Sequence, residues 1–252
     1  MLKIGLGITA LLLLTRGVFE PTQLAVTEIA LPEGPQATIA VYSDLHLAKG
    51  RAPLAKLKKA LADLEPDLVF ALGDFSERPL DQHELAYLSS LASLAPTFGV
   101  LGNNDTSPEL VRQLERAGLT ILQNQGVRLS FQQGDIYIYG VEDVRAGKPS
   151  LSGLAGAASG DCVILLSHSP EIINQLTDQK VDLILSGHTH GGQICLPTGQ
   201  AVITHSKLGP KYDSGLFSLD NAKLVITRGV GTSGLPFRLF CLPELVVLRL
   251  GR

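Results

Sequence analysis

From residue 37 onward the chain alternates short apolar runs with segments of helical periodicity, and this alternation restricts the fold more than any other feature. Ala37–Tyr42 (ATIAVY) reads as a buried strand. Leu54, Leu57, Leu61 and Leu64 then share one helical face, with Lys56, Lys58 and Lys59 elsewhere. Residues 67–72 (DLVFAL) form a second strand. Asp81 and Glu84 make a capping-box pattern ahead of Leu85, Leu88, Leu91 and Leu94. Residues 98–101 are a third strand, and Ser107-Pro108 opens a helix that Gly118 closes. Strand, helix, strand, helix, strand predicts a right-handed, largely parallel sheet covered by helices.

The second half changes character. Residues 127–131 and 135–141 read as a hairpin around Gln132-Gln133-Gly134. Cys162–Leu166 is a buried strand, followed by a Ser169-Pro170 helix start, and residues 181–185 are another strand. Only short strands follow, at 193–196, 201–204, 215–219, 224–228 and 245–250. The expected class is α/β: a four-layer αββα sandwich of two mixed sheets flanked by helices.

Composition narrows the function. Apolar residues make up 45% and charged residues 18%, which is globular rather than disordered. Lys+Arg 21 against Asp+Glu 24 gives a net charge of -3, which disfavours a nucleic-acid partner. Cys162, Cys195 and Cys241 are scattered, with no C-x-x-C pair, and read as buried free thiols. Residues 4–14 are an uninterrupted apolar run between Lys3 and Arg16. A spanning helix needs about 20 apolar residues and a signal-peptide core about 7–15. No small-x-small cleavage site follows. The segment, residues 1–19, is therefore expected to be an uncleaved membrane anchor. A cleaved signal and a packed helix are the alternatives. One domain, 20–252, follows it. The protein is expected at a membrane, on a face that the flanking charges do not set.

The chemistry collects at strand ends. Asp44 and His46, Asp74, Asn103, His168, and His188 with His190 each follow an apolar run. In open α/β sheets the carboxyl ends of the strands are where ligands bind. Four of the six His stand in these positions. Asp, Asn and His without Cys suit divalent Mn, Fe, Zn or Mg. Seven ligands are too many for one catalytic ion that keeps room for water. They suit two ions about 3.5–4 Å apart, bridged by a carboxylate and holding a hydroxide nucleophile.

The motifs Asp44-Leu45-His46, Gly73-Asp74, Gly102-Asn103, Ser167-His168 and Gly187-His188-Thr189-His190 resemble, in this order, those of the calcineurin-like metallophosphoesterases. Tyr212-x-Ser214-Gly215-Leu216, Arg228-Gly229-x-Gly231-Thr232-Ser233-Gly234 and Pro243-Glu244 resemble its bacterial, often membrane-associated phosphodiesterase branch. That branch includes a UDP-2,3-diacylglucosamine pyrophosphatase of lipid A biosynthesis. The resemblance covers roughly residues 20–252. It implies the metallophosphatase fold, two ions with manganese favoured, and a phosphodiester or nucleotide-lipid pyrophosphate substrate. It implies one ion on Asp44, His46, Asp74 and His190, and the other on Asp74, Asn103, His168 and His188, so that Asp74 bridges.

One position departs from the family pattern. Where G-N-H-[DE] is usual, this chain has Gly102-Asn103-Asn104-Asp105. Asn104 can bond a substrate but cannot supply a proton. Beyond the ion-held hydroxide, no catalytic side chain is expected. The alternative is a non-catalytic metal- or phosphate-binding protein. His83 is expected on a helix surface and His205 in a hydrogen-bonded loop. Arg228 and Arg238 are expected in structural ion pairs rather than on phosphate, and Leu235-Pro236-Phe237 with Leu239-Phe240 in the core. The oligomeric state is left open.

Overall fold

The computed structural model describes residues 2–49, 52–204 and 206–251. Among the described residues, twelve strands form two six-stranded sheets. The first has the order β1 (Ala25–Leu31), β12 (Glu244–Leu250), β2 (Ala37–Tyr42), β3 (Leu68–Ala71), β4 (Thr97–Gly99), β5 (Leu119–Ile121). The second has the order β10 (Gly215–Ser218), β11 (Lys223–Ile226), β9 (Leu183–Ser186), β8 (Cys162–Leu166), β7 (Gly134–Gly140), β6 (Gln125–Phe131). Both are mixed. In the first sheet β12 runs antiparallel to β2 while β2, β3, β4 and β5 are parallel. In the second, β7, β8, β9 and β11 are parallel, with β6 and β10 as antiparallel edges.

Side-chain alternation along each strand builds three buried layers. Ile39 and Val41 of β2 and Phe70 of β3 point between the sheets, where they meet Ile136, Ile138, Ile164, Leu166 and Leu185. Ala40, Tyr42, Val69 and Ala71 point outward, under Leu57 and Leu61 of α2 (Leu54–Leu64), Leu88 and Leu91 of α3 (Gln82–Ala92), and Leu110 and Leu114 of α4 (Pro108–Arg116). The opposite outer face, with Tyr137, Tyr139, Leu165 and Ile184, is covered by Leu154 and Ile172. Those two sit on 3-10 turns, Ser152–Gly156 and Pro170–Gln175. The helix expected after Ser169-Pro170 is thus only that turn. The strands expected at 193–196 and 201–204 reduce to isolated bridges, Cys195 with Ala201 and Ile194 with Leu239.

Local signals elsewhere act as read. The Asp81 side chain accepts from the Glu84 N–H in a closed capping box. Ser107 caps α4, with Pro108 in its first turn. Gly118 follows that helix at φ +98°, where a side chain is strained.

The N-terminal expectation is corrected. No described helix is long and apolar enough to cross a membrane. Helix α1 (Leu2–Phe19) has 18 residues, about 27 Å at about 1.5 Å per residue, against a hydrocarbon layer of about 30 Å. Lys3 and Arg16 shorten its apolar part further. Its last turn is tied to the domain instead. The Gly17 carbonyl accepts from the Arg238 N–H at 3.0 Å, and Arg16 pairs with buried Glu20 and lies over the Phe240 ring. Leu61 is 0% exposed and Leu12 is 65% exposed. Leu61→Ala is therefore expected to cost about 2–5 kcal/mol in urea unfolding, and Leu12→Ala less than about 0.5 kcal/mol. Equal costs would mean that α1 is packed along its whole length.

Candidate metal centre

Every expected site residue stands just beyond the C-terminal end of a parallel strand. Asp44 and His46 follow β2, Asp74 follows β3, Asn103 follows β4, His168 follows β8, and His188 and His190 follow β9. Five of them are left-handed: Asp44 (φ 57°), His46 (φ 45°), Asp74 (φ 54°), His188 (φ 68°) and His190 (φ 52°). Such conformations cost about 1–3 kcal/mol each and persist only where the surroundings impose them. The imposition is visible as loop-to-loop hydrogen bonds. The His46 N–H donates to the Asp74 carbonyl (3.0 Å), the Gly187 N–H to the His168 carbonyl (2.9 Å) and the Gly231 N–H to the Asp44 carbonyl (2.7 Å). Two glycines make room. A Cβ on Gly102 would stand 2.2 Å from Asp74 Oδ1, and one on Gly187 would stand 2.0 Å from Ser43 Oγ.

The side chains converge as two buried trios, Asp44 with His46 and His190, and Asp74 with His168 and His188. In the first, His46 Nε2 is 3.2 Å from His190 Nε2, which is 3.3 Å from Asp44 Oδ1. In the second, His168 Nε2 is 3.1 Å from His188 Nδ1. Asp74 Oδ2 joins them, 3.6 Å from His46 Nε2 and 3.5 Å from His168 Nε2. The outer ring nitrogens set the tautomers. His168 Nδ1 lies 2.6 Å from the Leu72 carbonyl, which can only accept, so Nδ1 carries a proton and Nε2 faces inward. His46 Nδ1 lies 2.6 Å from Glu77 Oε1, with the same consequence.

The electrostatics are those of a buried anion among imidazoles. Burial opposes the charge of Asp74, but His168 and His46 hold its carboxyl well below the usual range. Burial equally opposes a charge on His168, yet Asp74 raises that imidazole to about 10. Burial, with His168 alongside, pushes His188 down to about 4. Burial, with His46 and Arg238 nearby, lowers His190 well below its ordinary value. Asp44 Oδ1 and Asn103 Oδ1 are buried without a hydrogen-bond partner. Buried acceptors without donors are costly, and His188 Nε2 is buried without a partner as well. Carboxylate, amide and imidazole donors without thiolate fit divalent cations.

Residues 37–192 match the family model described as calcineurin-like phosphoesterase. The chain belongs to this family. It is 31% identical over 225 residues to the uncharacterized metallophosphoesterase YkoQ of Bacillus subtilis, covering 85% of this chain and 83% of that protein. It is also 31% identical over 230 residues to the phosphodiesterase YaeI of Escherichia coli, covering 84% and 81%. The solved structure of TT1561 of Thermus thermophilus has the same fold, with a TM-score of 0.52, 14% identity, and coverage of 77% and 90%.

Residue 104 is the position at which this chain departs from the G-N-H-[DE] pattern. Asn104 donates to both oxygens of Asp74, the backbone N–H to Oδ1 (2.9 Å) and one side-chain amide N–H to Oδ2 (2.7 Å). Sequence reasoning assigned no role to Glu77, which holds His46 and pairs with Lys49 at 2.7 Å. Nothing in its spacing marks it. Asp105 is buried and accepts from the N–H groups of Phe75, Ser76 and Gly102, binding the β3 loop to the β4 loop. Its signal was the acidic fourth position of the G-N-x-[DE] pattern. His83 is exposed, as read. His205 lies outside the described residues.

Of the two arginines, Arg228 is in the expected ion pair, 2.6 Å from Glu244. Arg238 is corrected. It is fully buried, and no carboxylate among the described residues pairs with it. Its guanidinium donates instead to the carbonyls of Gly231 (2.6 Å), Arg228 (2.8 Å) and Gly229 (3.2 Å), behind His190. Leu235, expected in the core, is 67% exposed. Arg238→Met would strand those carbonyls and is expected to cost about 3 kcal/mol in chemical denaturation. A cost near zero would show that the loop is held by other contacts.

Proposed function

We propose that the chain hydrolyses phosphodiester or pyrophosphate bonds with two divalent ions, one on Asp44, His46, Asp74 and His190, the other on Asp74, Asn103, His168 and His188. The observation that carries this reading is Asp74 Oδ2, placed 3.6 and 3.5 Å from an imidazole nitrogen of each trio. Bound there, divalent ions would activate water and neutralise phosphoryl charge. The chain itself supplies the rest. Glu77 and the Leu72 carbonyl orient two imidazoles, and the buried carboxylates of Asp44 and Asp74 concentrate negative charge where cations are needed. Asn104 offers a substrate a hydrogen bond but no proton, so no general acid stands at that position. Substrates with weakly basic leaving groups follow from this, pyrophosphates above all. A nucleotide-lipid pyrophosphate such as UDP-2,3-diacylglucosamine is one of that kind. Manganese is the first ion to try, with Fe, Zn and Mg after it.

Purified protein with Mn²⁺ is expected to turn over bis-p-nitrophenyl phosphate at neutral pH. Bound metal without turnover on any divalent ion would favour a non-catalytic metal- or phosphate-binding protein. Asp74→Asn is expected to lower the content of both ions and to reduce kcat more than any other single ligand change. Two ions retained with near wild-type turnover would remove Asp74 as the bridge. Asn104→His is expected to raise kcat/KM for an alkyl ester more than for an aryl ester. Each tenfold gain corresponds to about 1.4 kcal/mol of barrier. An equal change for both substrates would show that no acid is missing at residue 104.

A further inference from the structure

We propose that Cys195 and Cys241 form a reversible oxidation site, closing to a disulfide with a hydroperoxide as oxidant and weakening ion binding on the His190 side of the centre. They belong to no thiol motif and are far apart in sequence. The fold brings them together where two bridges meet, Ile194 with Leu239 and Cys195 with Ala201. The Cys195 N–H donates to the Leu239 carbonyl at 2.8 Å, fixing the two segments side by side. The two thiols pack in one buried cluster with Ala201, and both are free. They also share an acceptor. The Gly191 carbonyl is 3.1 Å from Cys195 Sγ and 3.5 Å from Cys241 Sγ, and the His190 carbonyl is 3.3 Å from Cys241 Sγ.

Ordinary packing does not account for this arrangement. A buried free thiol usually serves as a small apolar group, as Cys162 does between the two sheets. The other two sulfurs meet at the Gly191 carbonyl, and Arg238 Nη1 stands 3.7 Å from Cys241 Sγ. A cation there favours negative charge on that sulfur as it attacks. A cavity of about 330 Å³ lined by Ile194, Val202 and Ile203 gives small solutes an approach to this loop.

The chemistry balances with hydrogen peroxide as the oxidant. Cys241 sulfur attacks the O–O bond, its proton goes to the departing oxygen, and one water leaves a sulfenic acid. Cys195 sulfur then displaces that hydroxyl, which leaves as a second water with the thiol proton. Two thiols have lost two electrons and two protons, and the peroxide has been reduced to two waters.

The consequence reaches the centre through the backbone. His190 (φ 52°), Gly191 (φ 59°) and Gly192 (φ 74°) are consecutive left-handed residues. The Gly191 carbonyl is held by the two S–H donors, which the disulfide removes while drawing the sulfurs together, and the His190 carbonyl keeps only its Gln193 and Arg238 donors. The turn that presents His190 loses that support. Only this effect on ions rests on the two-ion reading above.

The test treats reduced full-length protein with hydrogen peroxide, then counts thiols after denaturation. The count is expected to fall from three to one, with a cross-linked 195–241 peptide. Calorimetric titration of the oxidised protein with Mn²⁺ should show one ion bound about tenfold or more weakly, restored by dithiothreitol. Cys195→Ser and Cys241→Ser should each keep their Mn²⁺ affinity in peroxide. Three surviving thiols would overturn the proposal, and so would a disulfide that leaves Mn²⁺ affinity unchanged. A reduced protein that takes up no Mn²⁺ would count against the two-ion reading instead. The thiol count, which needs no variant, decides the pair by itself.

Discussion

The carboxylate of Asp74 is the point on which both halves of the molecule converge. One sheet presents His46 to it from the loop after β2, and the other presents His168 from the loop after β8, each within 3.6 Å of the same oxygen. A buried carboxylate is costly unless paired and hydrogen-bonded. Asn104 satisfies both of its oxygens, and the imidazoles supply the opposing charge. Moving either sheet relative to the other would break that set. The face-to-face packing of the sandwich core and the electrostatics of the centre therefore specify the same geometry.

That arrangement is strained, and the strain is local. Five residues of the centre sit at positive φ, while the strands that lead to them are regular and fully buried. The apolar layers on both faces of the sheets stabilise the fold enough to hold several unfavourable turns at one rim. Hydrogen bonds between loops then lock each turn to its neighbour rather than to its own strand. Asp105 ties the β3 and β4 loops in this way, and Gly231 reaches back to Asp44.

The C-terminal loop closes the rim by a different means. Arg238 contributes a buried guanidinium whose acceptors are backbone carbonyls: Nη2 and Nε gather the 228–231 turn, and Nη1 reaches the His190 and Cys241 carbonyls. Arg228 and Glu244 fasten the same turn to the start of β12. The last turn of α1 joins this assembly through Gly17. The N-terminal helix is thus anchored to the domain at its end and exposes much of its apolar surface along its length.

The sequence by itself determined what local periodicity and strand-end chemistry can determine. The alternation after residue 37 specified parallel strands with covering helices, because burial on both faces demands unbroken apolar runs. The placement of Asp44, His46, Asp74, Asn103, His168, His188 and His190 after those runs identified the rim, because parallel strands deliver their C-terminal ends to one side. Tertiary structure alone decided the rest. Glu77 became a partner of His46, and Arg238 a carbonyl clamp rather than half of an ion pair. Cys195 and Cys241 became neighbours only through bridges that no periodicity announces. Each of these depends on contacts between segments distant in sequence, and a residue pattern records which side chains are available but not which loops the packed sheets bring together.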